Sequence, residues 1–459
     1  MKSKSTILMG CLMGIFILFW IISNCLVPLS VGHGEYVAAA KYMAQGLMPY
    51  QAFGLSETPI GIGILSVLYQ MVGLEASSYW ATGLMMGVHL LNGWLLWKIM
   101  LRLRVEKAFA LFGLLFYGLL VYSSDGLMLN LEPMAVSFLL GASLLILQRT
   151  MPTLIMAGVG FALAVGCKAQ AIVLLPVLTA MVLWRGKDNQ QRLEKGLLLV
   201  AISLVMVAAG FMGISMFSEQ ADWVKGLFPM EEFMFFHTWK HKIYSKLVYV
   251  VIQGGRCSLF FLLALPWVWK KLSVHGKRCV YWGLLAIICY FCLFYFKVKV
   301  SHGLLIYPWV VLAAAHILQS LSNKYVTMTL GAAILIIPGL LTMREFNKLD
   351  MGQVKAEQQE VLTTLKGIIQ KPGKAMVYHE ECAEYKLGPQ VWAEFPQLHP
   401  LNDVEQMPEA NYIIMTTEYI ALTEGGYSEF SFGSKSDLLF ECISEMKSYG
   451  TGNYMIYVR

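Results

Sequence analysis

Apolar residues in this chain cluster into blocks of roughly 15 to 23, close to the length an α-helix needs to cross the hydrocarbon core of a bilayer. The blocks fall near 7–29, 79–100, 108–123, 127–147, 153–167, 170–184, 196–217, 247–269, 279–296, 303–319 and 326–343. Lipid offers no partner for backbone N–H and C=O groups, so blocks of this kind leave one fold class open, a mainly α polytopic membrane protein with about 11 spans. Composition agrees. Hydrophobic residues make up 57% and charged residues 14%, against about 25% charged in ordinary globular proteins.

The placement of charge says more than the net value of +6. Lys and Arg gather in alternate short loops: Lys98/Arg102/Arg104/Lys107, Arg149, Arg185/Lys187/Arg192/Lys195, Lys270/Lys271/Lys277/Arg278 and Lys324. The positive-inside rule puts those loops and the N-terminus in the cytoplasm. An odd number of spans then puts residues 344–459 outside. The first block follows Lys2 and Lys4, is long and lacks a small-residue cleavage site, which predicts a retained anchor. No basic tract interleaved with aromatics is present, so nucleic acid is not an expected partner. Seven of the nine Cys lie in or beside apolar blocks, where Cys is a small core residue. Cys382 and Cys442 lie in the C-terminal region, where a disulfide would form if that region faces an oxidising compartment.

Two outside loops are long. In 30–78, the segments Glu35 to Gln45 and Ile60 to Val72 read as helices lying in the interface plane, the second opened by Pro59. The loop 218–246 carries Phe, Trp, His and Lys together, as a headgroup belt does, and its His237 and His241 share a helical spacing that zinc can use. After Met343 the composition shifts. A charged amphipathic helix over Val354 to Gln370, alternating segments at Ala375–Tyr378, Tyr412–Met415 and Tyr454–Val458, and a helix over Asp437 to Met446 capped by Ser436 predict a small α/β domain over 344–459. The membrane domain occupies 1–343.

Ionisable groups at a bilayer are costly and mark sites. On this topology Glu35, Glu57, Asp125, Glu132, Lys168 and His302 all lie near the outer face, and Arg256 lies about a third of the way into a span. Their gathering on one side points to an outward cavity for an anionic, partly lipidic ligand.

These residues also carry a family resemblance. The first outside loop reads His33-Gly34-Glu35-Tyr36, Ala40, Gly46, Pro49-Tyr50, Phe53 and Pro59-Ile60-Gly61. Together with Leu131-Glu132-Pro133, Lys168 after a Gly-rich span, and His302 with Tyr307-Pro308, it resembles the GT-C glycosyltransferases. More narrowly it resembles the branch of protein mannosyltransferases and lipid A aminoarabinose transferases, over about residues 1–343. Two positions depart from the pattern: Gly32 stands where the family has its acidic residue, and Ala52 replaces an Asp before Phe53.

The resemblance implies a polyprenyl-phosphate sugar donor and an inverting transfer to a glycolipid, glycan or protein on the outer face of a bacterial inner membrane. Such a transfer needs a base near the acceptor hydroxyl and cations on the departing phosphate. Glu35 is the candidate base, one helical turn from Gly32. Lys168, His302 and Arg256 are candidates for the donor phosphate. His33, Tyr36, Tyr50, Glu57, Asp125, Glu132 and Tyr307 are candidates for the acceptor and sugar side. A divalent cation held by Glu35 and Glu132 is a second way to bind the phosphate. Each residue also has a plainer reading: Glu35 as a solvated acid at a helix N-terminus, Lys168 as a snorkelling side chain, Glu132 as an interhelical hydrogen-bonding group. Two other functions compete with transfer, a lipid-linked-sugar flippase and a non-catalytic binding or assembly subunit. The glycine at position 32 favours the subunit.

Overall fold

The computed structural model describes residues 33–46, 48–49, 58–73, 79–124, 130–148, 150–184, 189–217, 259–292, 300–321, 323–348, 351–368, 375–378, 398–401, 412–416, 446–451 and 454–458, with isolated positions of the first apolar block. The chain is mostly helical. Its helices are α1 (His33–Ala44), α2 (Pro59–Val72), α3 (Tyr79–Arg102), α4 (Lys107–Tyr122), α5 (Glu132–Ile146), α6 (Met151–Cys167), α7 (Leu175–Leu183) and α8 (Asn189–Phe217). They continue with α9 (Leu265–Val268), α10 (Val274–Cys292), α11 (Tyr307–Ser320), α12 (Lys324–Lys348) and α13 (Met351–Ile368). Within α3, α8 and α12, the stretches Gly83–Arg102, Gln190–Gly213 and Lys324–Leu341 are long and apolar enough to cross a bilayer. The chain is a multi-pass membrane protein.

Several apolar blocks are not continuous α-helix. Residues 169–174, 259–264 and 300–305 are 3-10 turns, and each leads directly into an α-helix with proline in its first turn: Pro176 in α7, Pro266 in α9 and Pro308 in α11. The cause is common to all three. Proline has no N–H to give the preceding turn and its ring collides with the carbonyl four residues back, so the α-helix cannot run through it and restarts there. The backbone ahead of each proline tightens to i→i+3 bonding instead.

The two helices of the first long loop differ from one another. On α2, Gly61, Ile62, Leu65, Ser66 and Tyr69 are buried while Val67 and Met71 are exposed, the one-sided burial of a helix on an apolar surface. On α1, however, Tyr36, Val37, Ala39, Ala40, Lys41 and Tyr42 are all buried, so α1 is enclosed rather than lying on a surface. Its run of alanines lets neighbours close in from several directions.

Strands β1 (Ala375–Tyr378), β2 (Leu398–Leu401), β3 (Tyr412–Thr416), β4 (Lys447–Thr451) and β5 (Tyr454–Val458) form one sheet in the order β2-β1-β3-β5-β4. β1 pairs in parallel with β2 and β3, while β5 runs antiparallel to both β3 and β4. The Asp437 to Met446 helix, Ser436, Cys382, Cys442, the loop 218–246 and most of the first apolar block lie outside the described residues. The described cysteines Cys11, Cys167, Cys279 and Cys289 form no disulfide.

Candidate functional site

The helical hairpin α5–α6 builds the centre of the site. Its turn is short, and residues 132–146 and 151–167 are nearly equal in length, so the first residue of α5 comes level with the end of α6. Glu132 opens α5 and Lys168 closes α6. The helix dipoles favour an acid at the first position and a base at the second. The Lys168 Nζ lies 3.4 Å from a Glu132 carboxylate oxygen, and both side chains are only 1% exposed. Fifteen and seventeen residues rise roughly 22 to 26 Å, short of the ~30 Å hydrocarbon core. Neither helix alone is as long as that core is thick. A buried charge of either sign is tolerated only with a partner, and each of these two supplies the other's.

The first long loop closes over this end of the hairpin. Thr58 Oγ1 donates to the Val165 carbonyl at 3.3 Å, seating the start of α2 on the last turn of α6. The fit there depends on missing side chains. A Cβ on Gly166 would overlap the Ile60 side chain, and one on Gly61 would lie 2.9 Å from Leu131 Cδ2. Residues 58–61 thus touch the ends of both helices that carry the ion pair.

A third strand of chain arrives from α11. The 3-10 turn Val300–Leu305, which contains His302, packs against α5. Tyr307 follows it, fully buried, and its hydroxyl hydrogen-bonds Ser124 Oγ at the end of α4. Gly303 makes this possible, since a Cβ there would come 2.8 Å from the Tyr307 hydroxyl. Asn92 of α3 completes the support. Its amide nitrogen donates to the Pro133 carbonyl at 2.9 Å and its oxygen accepts from Ser137 at 2.7 Å, tying α3 to the first turn of α5 beside Glu132.

The sequence-predicted residues therefore divide. Glu132 and Lys168 are in contact, the turn bearing His302 packs against α5, the helix that Glu132 opens, and Tyr307 bonds Ser124. Tyr36 is buried in α1. His33 and Glu35 belong to the first turns of α1, but their side chains, like that of His302, lie outside the description. So do Gly32, Tyr50, Ala52, Phe53, Glu57, Asp125 and Arg256. Among the described residues no three His, Cys, Asp or Glu gather as metal ligands, and the Glu132 carboxylate faces an ammonium.

Ser124, Thr58 and Asn92 were not anticipated. Asn92 carried a usable signal, an amide inside an apolar block, where polar groups act as interhelical ties. Ser124 and Thr58 carried none, because their partners lie 183 and 107 residues away.

No protein-family model and no curated protein matches this sequence. Solved structures do. ArnT from Cupriavidus metallidurans bound to undecaprenyl phosphate superposes with a TM-score of 0.58 over 98% of this chain and 97% of that one, at 11% identity. Its apo state gives 0.55 over 96% and 97%, also at 11% identity. The chain has the GT-C fold. The Archaeoglobus fulgidus oligosaccharyltransferase tethered with an acceptor peptide aligns at 0.49 and 8% identity, over 96% of this chain and 74% of that one. At such identities the likeness is one of fold, with ArnT at full length.

Proposed function

We propose that this chain is a membrane glycosyltransferase that moves a sugar from a polyprenyl-phosphate donor to a glycolipid, glycan or protein acceptor on the outer face of a bacterial inner membrane. The observation that carries the reading is the buried Glu132–Lys168 pair, at the end of the hairpin where residues 58–61 pack. It occurs in a fold shared end to end with a protein solved with undecaprenyl phosphate. An isoprenoid phosphate carries its charge at one end, with its tail in lipid.

In this reading Glu35 accepts the proton of the acceptor hydroxyl as its oxygen attacks the sugar's anomeric carbon. The bond from that carbon to the phosphate oxygen breaks, and polyprenyl phosphate leaves with the electron pair. Negative charge grows on the phosphate during the step. Lys168 stabilises it in a medium of low dielectric, where such an interaction is strong, with His302 and Arg256 as further cationic groups. Glu132 holds the ammonium in place and protonated before the donor arrives, then faces the acceptor side with His33, Tyr36, Tyr50, Glu57 and Asp125. Tyr307 acts through its bond to Ser124, fixing the turn that carries His302. Glu132 is engaged with Lys168, so no step is assigned to a metal.

The same reading takes 1–343 as the membrane domain, with about 11 spans, and 344–459 as a small extracytoplasmic α/β domain. Transfer assays with purified protein and polyprenyl-phosphate sugars, comparing wild type with Glu35→Gln, test it. Activity in wild type that drops at least about a hundredfold in the variant supports the assignment. Equal activity removes Glu35 as the base, and inactivity with every donor favours a binding subunit, the reading that Gly32 supports.

A further inference from the structure

Lys41 lies in the enclosed helix α1 and is only 6% exposed. Its ammonium sits 5.1 Å from the centre of the Tyr69 ring on α2. A cation over an aromatic face recovers only part of what burying an ammonium costs. Among the described residues no carboxylate or hydrogen-bond acceptor meets it. Tyr69 is itself fully buried, and its hydroxyl has no hydrogen-bond partner among the described residues. Burial holds the Lys41 amine below its ordinary range, at about 8, so it is still mostly charged at neutral pH.

Two buried donors, one of them charged, thus come together from two packed helices with no acceptor among the described residues. A buried donor left without an acceptor is destabilising, and a ligand supplying oxygens would relieve it. The place is not the Glu132–Lys168 site. Tyr69 lies eight residues beyond Gly61, the point where α2 meets Leu131, which is roughly 12 Å along the helix. One phosphate cannot touch both.

We infer that Lys41 and Tyr69 form a second anion-binding subsite, which takes a phosphate group: the ammonium supplies the charge and the phenol directs one oxygen. Phosphate suits two donors of different geometry because it offers several acceptor oxygens around one centre, and those bonds are charge-assisted. The group comes either from a lipid headgroup or from free phosphate. The inference does not depend on the transfer reaction, since it concerns binding alone.

Isothermal titration calorimetry on the detergent-purified full chain tests it, with inorganic phosphate and dioctanoyl phosphatidic acid as separate titrants. Wild type is expected to bind at least one. Heat from phosphatidic acid alone identifies a headgroup site, and heat from inorganic phosphate as well identifies a site open to free phosphate. Lys41→Met is expected to weaken that binding at least about tenfold and Tyr69→Phe about three- to tenfold, while titration with undecaprenyl phosphate is unchanged in both. Tyr69→Phe removes a single oxygen, so it reports even if Lys41→Met folds poorly. Unchanged affinity in Tyr69→Phe, or no binding of either titrant by wild type, overturns the inference.

Discussion

Lys168 and Lys41 are both buried lysines at helices of the same membrane domain, and they stand in opposite electrostatic situations. Lys168 has a carboxylate 3.4 Å away, supplied by the hairpin that carries it. Lys41 has an aromatic ring and, among the described residues, no anion. The first is a charge the fold has already balanced. The second is buried against a ring with no carboxylate partner among the described residues. Burial alone therefore says little about what a membrane lysine does; its partner says more.

The largest effect is expected where the balance is broken. Lys168→Met strands the Glu132 carboxylate and should cost about 3 to 5 kcal/mol in unfolding free energy, while adding Glu132→Gln should recover most of it. Denaturant unfolding in detergent measures both. A second test strikes the seat of the first loop rather than the charges. Gly166→Ala drives a methyl into Ile60 and should cost about 1 to 3 kcal/mol, lifting residues 58–61 from the hairpin. Proteolysis of the loop should rise accordingly.

Lys41→Met should behave in the contrary sense. Removing an uncompensated charge should change stability by less than about 1 kcal/mol or raise it, when no anion is present. A loss as large as that of Lys168→Met would erase the distinction between the two lysines. The smallest effect is one of pH. Lys41 releases its proton near 8 in the folded chain, whereas the unfolded chain keeps it up to 10.5. Between those values the unfolded state binds more protons, so stability rises with pH. Melting temperature followed from pH 8 to 10 should climb in wild type relative to Lys41→Met.

The apolar blocks marked where helices lie, and the rule that ionisable groups in a bilayer are functional singled out both members of the ion pair. Their contact follows from the short turn and matched lengths of α5 and α6. The 3-10 turns were also readable, since each apolar block that contains one has proline shortly after it. Other parts had no local trace. Ser124 and Tyr307 meet across 183 residues, and no spacing rule reaches that far. Lys41 resembled an ordinary loop charge because what buries it is the packing of α1 against α2, a tertiary fact. The cost of such burial falls on a single residue and leaves its neighbours' pattern unchanged.

The central claim is that Lys168 receives the phosphate of an isoprenoid donor. Binding of undecaprenyl phosphate to the purified chain, compared with the charge-balanced double variant Glu132→Gln/Lys168→Met, tests it most directly because the variant leaves no buried charge unpaired at this pair. Affinity in the double variant should fall at least about tenfold, as expected when a charge-assisted bond is lost. Equal affinity in the two proteins would contradict the account and leave the pair as a structural tie between α5 and α6.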